Sequence, residues 1–232
     1  MKKVNIFKIE SINKILFLIF FLLLFFLNLN TLFSQDTINN LVNLMKNRYA
    51  NINDYQGKIV LQVTDKGVLQ EGEIFYKYPG KFKIEINSPE KKIYVCDGKT
   101  LYIYYPSMSV VGIQNIKRGS NNIITYGQSK ETLGYIFDAY TFNFSEGKSL
   151  YQFNNFKVYK IKGWAKRVEA GFKSLELYVD ETGFIVYQSA VNLEGKTIKY
   201  YFISYKVNQD LSDLLFNFNI PDNVQIIENI FE

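Results

Sequence analysis

The chain has 232 residues, 47% of them hydrophobic and 17% aromatic, with a formal charge of +5, enough for one large domain or two small ones. Histidine is absent and cysteine occurs once, which excludes serine–histidine and cysteine–histidine catalysis, most zinc chemistry and an internal disulfide. The basic excess does not mark a nucleic-acid binder: residues 1–34 hold Lys2, Lys3, Lys8 and Lys14 against Glu10, so the rest carries 23 basic and 21 acidic side chains, a net of +2.

Those front lysines precede the uncharged run ILFLIFFLLLFFL at 15–27, followed by a polar stretch with the small Ser34. This is the layout of a secretory signal. Its 13 apolar residues fall short of the roughly 20 that span a bilayer. The expected boundaries are therefore a cleaved signal peptide at 1–34 and a single domain at 35–232, with a retained membrane anchor as the alternative. The one cysteine, Cys96, lies far from the cleavage point, so the mature chain is expected to be unlipidated and to stand on its core alone.

Next, Ile38, Leu41, Val42, Met45, Tyr49 and Ile52 recur at spacings of three and four, with Asp36 or Thr37 as N-cap, which predicts an amphipathic helix ending near Asn53. From Tyr55 the period shortens to two. GKIVLQVTD places Ile59, Leu61 and Val63 on one face, and EGEIFYKYP and KFKIEI flank Pro79-Gly80. KKIYVC and KTLYIYYP flank Asp97-Gly98, a strong hairpin signal. All four prolines fall at strand ends or turns. Residues 107–152 break the alternation. Within them SKETLGYIFDAY offers Ser129 as N-cap and Leu133, Ile136, Phe137 and Tyr140 on one helical face, weakened by Gly134, and two short helices are expected there. Alternation resumes in NNFKVYKIKGWAK, in FKSLELYVD with Leu175, Leu177 and Val179 on one side, in FIVYQSAVNL and in KTIKYYFISYKVN, before FNFNIPDNVQIIENIF closes the chain. The count is about eleven antiparallel strands.

A sheet of that size with one apolar face must curl into a barrel or fold over helices. Only the second arrangement uses both helices, so the fold class is mainly β: a strongly curved antiparallel sheet forming an unclosed barrel with a helical lid. Alternation alone fits a packed interior as well as a hollow one. The acids Glu73, Glu85, Glu176 and Glu194 alternate outward or lie in turns, the pattern of a solvated face rather than of paired catalytic carboxylates. No phosphate loop, metal cluster or nucleophile elbow occurs. The expectation is a protein that is not an enzyme and uses no cofactor.

The order of motifs goes further. QEG at 70–72, the corner proline Pro79, DGKTLYIYYP at 97–106, LELYVDETGFI and FNFNIPDNVQII together resemble the outer-membrane lipoprotein carrier (LolA) family. The resemblance covers most of the chain beyond the signal and is weak in 107–152. It implies an unclosed barrel whose lid covers a cavity for the acyl chains of lipoproteins, carried through the periplasm from inner to outer membrane. The implied partners are acylated lipoproteins, an inner-membrane lipoprotein-releasing transporter and an outer-membrane receptor, with no nucleic acid and a monomeric carrier. The same fold also serves lipid or glycolipid carriers and envelope regulators that sense lipoproteins, so a binding protein of either kind stays open. On this resemblance the cavity wall is Ile59, Leu61, Ile74, Tyr76, Phe82, Ile84, Ile86, Leu175, Leu177 and Val179, and the lid is Leu133, Ile136 and Phe137. One departure concerns the latch. Many family members carry arginine before the corner proline, whereas this chain has Tyr78, which can donate one hydrogen bond but not a charged fork. Lys77 would point to the other face.

Overall fold

A computed structural model describes residues 38–63, 67–116, 130–167 and 170–230. The predicted signal and the expected caps Asp36, Thr37 and Ser129 lie outside these residues. The chain divides into two compact units, Met1–Leu41 and Val42–Glu232. Of the first, only the opening turn of a helix is described. The second contains the rest of that helix and every strand.

Helix α1 covers 38–50, slightly shorter than the periodicity suggests. Thirteen strands follow: β1 (Asp54–Val63), β2 (Gln70–Lys77), β3 (Lys81–Ser88), β4 (Lys92–Asp97), β5 (Thr100–Tyr105), β6 (Val110–Asn115), then helix α2 (Lys130–Ala139), β7 (Tyr140–Phe144), β8 (Tyr151–Phe153), β9 (Phe156–Ala165), β10 (Phe172–Asp180), β11 (Ile185–Asn192), β12 (Thr197–Val207) and β13 (Gln225–Glu228). They form one sheet in the order β13-β6-β5-β4-β3-β2-β1-β12-β11-β10-β9-β7, with β8 also on β9. The two end strands do not pair with each other, so the curved sheet is unclosed. All neighbours are antiparallel except β13, which runs parallel to β6.

The sequence reading anticipated this architecture with two or three strands fewer. The difference lies in 107–152, read as a helical break, where β6, β7 and β8 accompany α2. These strands are short, and β7 and β8 pair only with β9, so none carries enough alternation to be recognised alone. α2 forms despite Gly134, whose Cβ position opens onto empty space. Replacing Gly134 by alanine is expected to stabilise the protein by about 0.5–1 kcal/mol, read as a higher urea midpoint, because alanine loses less backbone entropy in a helix.

The turns have the chemistry their residues suggest. At β4–β5, Lys99 N and Thr100 N each donate to Asp97 Oδ1 at 2.8 Å, and Gly98 takes φ 96°. At β10–β11, the buried Asp180 accepts from Thr182 N, Thr182 Oγ1 and Phe184 N at 2.7–3.0 Å and from the Tyr205 hydroxyl. Gly183 is needed there, since a Cβ would lie 3.0 Å from Leu44 O of α1. This turn carries the helix: Tyr49 Oη accepts from Ile185 N at 3.0 Å, and its ring stacks on Phe184 at 5.5 Å.

The face opposite the helices is also covered. After β12 the chain turns back as a strap over β3–β6. Asp54, only 3% exposed, accepts from Gln209 N, Asp210 N and Leu211 N at 2.7, 3.0 and 3.4 Å. Lys77 Nζ donates to Leu211 O at 2.6 Å, and Asp213 bridges Lys77 and Lys81 at 2.8 and 3.0 Å. Phe218 then stacks on Tyr102 at 5.2 Å, and Phe216, Val95 and Val111 are buried. Cys96 is buried in β4, where desolvation pushes its thiol up to about 11, as suits a small apolar residue.

The Asp213 bridge has a pH signature. Hydrogen bonds from Lys77 and Lys81 hold its carboxyl below the ordinary range, near 3.9 when unperturbed. Its contribution is therefore complete above that range and lost as pH falls through the lowered folded value. Asp213→Asn is expected to lower the urea midpoint slightly at neutral pH. The gap to the unmodified protein should close on acidification below about pH 4.

Candidate functional site

Cross-strand register determines which side chains share the helix-covered, inner face. Across β2–β3–β4, Ile74 lies opposite Ile84 and Tyr76 opposite Phe82, which in turn faces Cys96. On β1, Tyr55 faces Tyr76 and Ile59 faces Gly72. A further row crosses seven strands: Gln70, Leu61, Tyr200, Gln188, Leu177, Ile161 and Phe144. Beside it run Ile198, Ala190, Leu175, Gly163 and Phe142. Apart from Gln70, Tyr200 and Gln188, these two rows carry no polar side chain.

Nine of the ten residues expected on the wall are buried: Ile59, Ile74, Tyr76, Phe82, Ile84, Ile86, Leu175, Leu177 and Val179, each at most 6% exposed. Leu61 is half-buried, and the side chain of Val60 is buried instead. Leu61 stays in phase with Ile59 in the unbroken β1–β2 pairing, so it lies on the inner face where cover is incomplete. The wall residues do not form one cluster. Tyr76 joins an aromatic group under α1, stacked on Tyr55 at 5.0 Å, and Tyr55 meets Phe184 and Phe202 edge-on. Leu175 and Leu177 sit four strands away on β10.

The three expected lid residues, Leu133, Ile136 and Phe137, are buried on α2. Phe137 packs edge-on against Phe142 at 6.2 Å, and Phe142 lies over Gly163, where a Cβ would come within 2.6 Å of the ring. Glycine on β9 thus lets an aromatic layer settle between α2 and the sheet. Lys46 of α1 places its ammonium 5.5 Å above the Phe137 ring, so both helices meet over this face. At the end of α2, the Tyr140 hydroxyl lies 2.9 Å from Ala170 O and 3.0 Å from Phe172 O, and accepts from Phe172 N at 3.2 Å.

Tyr78 occupies the corner turn, 46% exposed, with its backbone N–H donating to Asn53 O at 2.8 Å. Lys77 points to the opposite face, where it holds the C-terminal strap. The acids also lie away from the inner face: Glu73 faces Glu85 across β2–β3, Lys83 pairs with Glu85 at 2.7 Å, and Glu194 with Lys196 at 2.9 Å. Among the described residues no three metal-binding side chains cluster. The inner face offers apolar area and a few neutral polar groups, an arrangement suited to binding an apolar ligand.

Sequence reasoning missed Tyr55, Phe184, Phe202 and Tyr200, and also Tyr205. Part of the reason is a bulge in β12. In β12 the partner of Lys58 is Ser204 and that of Ile59 is Phe202, so Ile203 is the extra residue. A strict period of two groups Tyr205 with Tyr201 and Ile203. The bulge instead turns Tyr205 inward, stacked on Phe184 at 4.0 Å.

Residues 52–219 match the family model described as outer membrane lipoprotein carrier protein LolA. Curated relatives include the outer-membrane lipoprotein carrier proteins of Photorhabdus laumondii, 24% identical over 86% of this chain and 91% of that protein, and of Wigglesworthia glossinidia brevipalpis, 27% identical over 84% and 90%. Among solved structures, an uncharacterized conserved protein from Thermus thermophilus superposes with a TM-score of 0.53 at 11% identity, covering 83% of this chain and 99% of that one. MucB superposes with a TM-score of 0.52 at 12% identity, covering 82% and 64%.

Proposed function

The chain belongs to the family of the outer membrane lipoprotein carrier protein LolA, and on that premise we propose that it is a periplasmic carrier that takes up the acyl chains of lipoproteins and moves them from inner to outer membrane. The observation that carries this reading is the apolar inner face running from β3 to β9 beneath two helices. In it, Leu133, Ile136 and Phe137 occupy the interior when no cargo is bound and are displaced when acyl chains enter between α2 and the sheet. Residues 1–34 act as the export signal and are removed, and 35–232 is the working domain. The partners are acylated lipoproteins, an inner-membrane transporter that releases them, and an outer-membrane receptor that accepts them.

The energetics suit a carrier. Burying an acyl chain gains about 0.8 kcal/mol per methylene, so enclosing a sixteen-carbon tail would approach ~12 kcal/mol. Affinity on that scale would hold cargo for too long to deliver it. Displacing the α2 side chains from their own packing offsets part of the gain and keeps the exchange reversible. With Tyr78 where many relatives have arginine, closure relies on that packing and on the Tyr49–Ile185 bond rather than on a charged latch.

The test is purification from the native host followed by mass spectrometry of what accompanies the protein. Acylated polypeptides are the expected finding. Lipids or glycolipids alone would make it a carrier of a different cargo, and a membrane signalling protein as the sole companion would make it a regulator.

A further inference from the structure

The hydroxyl of Tyr200 is buried and has no hydrogen-bond partner among the described residues. A buried tyrosine normally finds one, because an unpaired buried hydroxyl is destabilising. Phenylalanine would fill the same space without that cost. Tyr200 lies on the inner face, between Leu61 of β1 and Gln188 of β11, with Gln70 beyond Leu61. Its ring meets Phe202 edge-on at 5.2 Å. Burial, reinforced by Tyr55 and Tyr49 nearby, raises its ionisation well above the ordinary tyrosine range. The group is therefore a neutral phenol with a proton to donate. Leu61, Gln70, Tyr200 and Gln188 are all only half-buried, whereas Leu177 and Ile161 farther along the row are fully buried. The polar residues thus occupy the more open end of an otherwise apolar track.

We propose that Tyr200, with Gln188 and Gln70, forms a polar subsite for the carbonyl groups that join acyl chains to their cargo, the ester or amide oxygens of an acylated glyceryl-cysteine. The phenol and the two side-chain amides donate to those oxygens, and the hydrocarbon continues along the Leu177–Ile161 side. The subsite rests on the carrier reading and adds to it a reason for distinguishing acyl chains from plain hydrocarbon. A carbonyl entering the interior would otherwise lose its water without replacement, and the waiting hydroxyl supplies the replacement.

The experiment compares the unmodified protein with Tyr200→Phe, using a dipalmitoylglyceryl-cysteine peptide and its dihexadecyl ether analogue, which lacks the carbonyls. Affinities are read by displacement of a fluorescent fatty-acid probe. Tyr200→Phe is expected to weaken the ester peptide about tenfold while leaving the ether analogue within about twofold. It should also raise the thermal midpoint of the cargo-free protein by about 2–4 °C, because the unpaired hydroxyl is gone. Gln188→Leu should show the same selective loss. If a diester glycerolipid shows the same dependence on Tyr200, the subsite stands with lipid as a second source of the carbonyl. An unchanged ester affinity, or an equal loss for ester and ether, overturns the subsite while leaving the carrier reading intact. If the unmodified protein binds neither peptide, the carrier reading falls and the subsite with it.

Discussion

Gly72→Ala is expected to destabilise the protein by about 3 kcal/mol, near the upper end of ordinary overpacking effects. Gly72 sits on β2 between Ile59 and Ile86, and a Cβ there would lie 2.1 Å from Glu85 O and 2.9 Å from the Cα of Ile86. Both obstacles are backbone, so no rotamer change relieves them. The β2–β3 pairing must open, at a point where its register already shifts between Glu71 and Gly72. Urea denaturation would show the loss as a lower midpoint with an unchanged slope. Ile59 and Ile86 are inner-face residues, so cargo binding should weaken as well.

Asp54→Ala is expected to cost a similar amount, about 3 kcal/mol, by a different route. The carboxylate is the shared acceptor for the N–H groups of Gln209, Asp210 and Leu211, and alanine leaves all three without it. Hydrogen exchange should quicken across 209–218, where the strap covers Val95, Val111 and Tyr102. The two substitutions separate stability from function. The strap lies on the face away from the helices, so Asp54→Ala should leave affinity for acylated peptide nearly unchanged at temperatures where the protein stays folded.

Much of this fold is legible in the sequence because its strands alternate and its turns are chemically explicit. Asp97-Gly98 and the Asp180–Gly183 turn specify their hairpins through side-chain bonds to the backbone and left-handed glycines, and the inner positions of β2, β3 and β10 follow directly from a period of two. The reading weakens where the period is interrupted. The bulge at Ile203 in β12, opposite the Lys58–Ile59 step of β1, displaces the pattern by one residue, which concealed Tyr205 from a strict alternation. The strap is illegible for another reason: its anchor, Asp54, lies more than 150 residues away from the amides it holds. A trace was nevertheless present. The continuous apolar run Ile93, Tyr94, Val95, Cys96 in β4 is the mark of a strand covered on both faces, and the second cover is the strap.

In the candidate site, hydrophobic periodicity identified residues that face inward. It could not identify Tyr200, whose significance lies in a missing partner and therefore in three-dimensional surroundings. The pairing of α2 with β7 and β9 through Phe137, Phe142 and Gly163 is likewise a property of packing, since Gly163 reads in the sequence only as a weak point in a strand.

The central claim is that acyl chains occupy the inner face, between the sheet and α2. The most direct measurement is photo-crosslinking with a diacylated peptide carrying a diazirine within one acyl chain, followed by mapping of the labelled residues. Labels concentrated on Leu61, Leu177, Ile161 and Phe137 are the predicted result. Labels confined to exposed positions on the other side or in loops, such as Ile203, Leu214 and Val68, would contradict it.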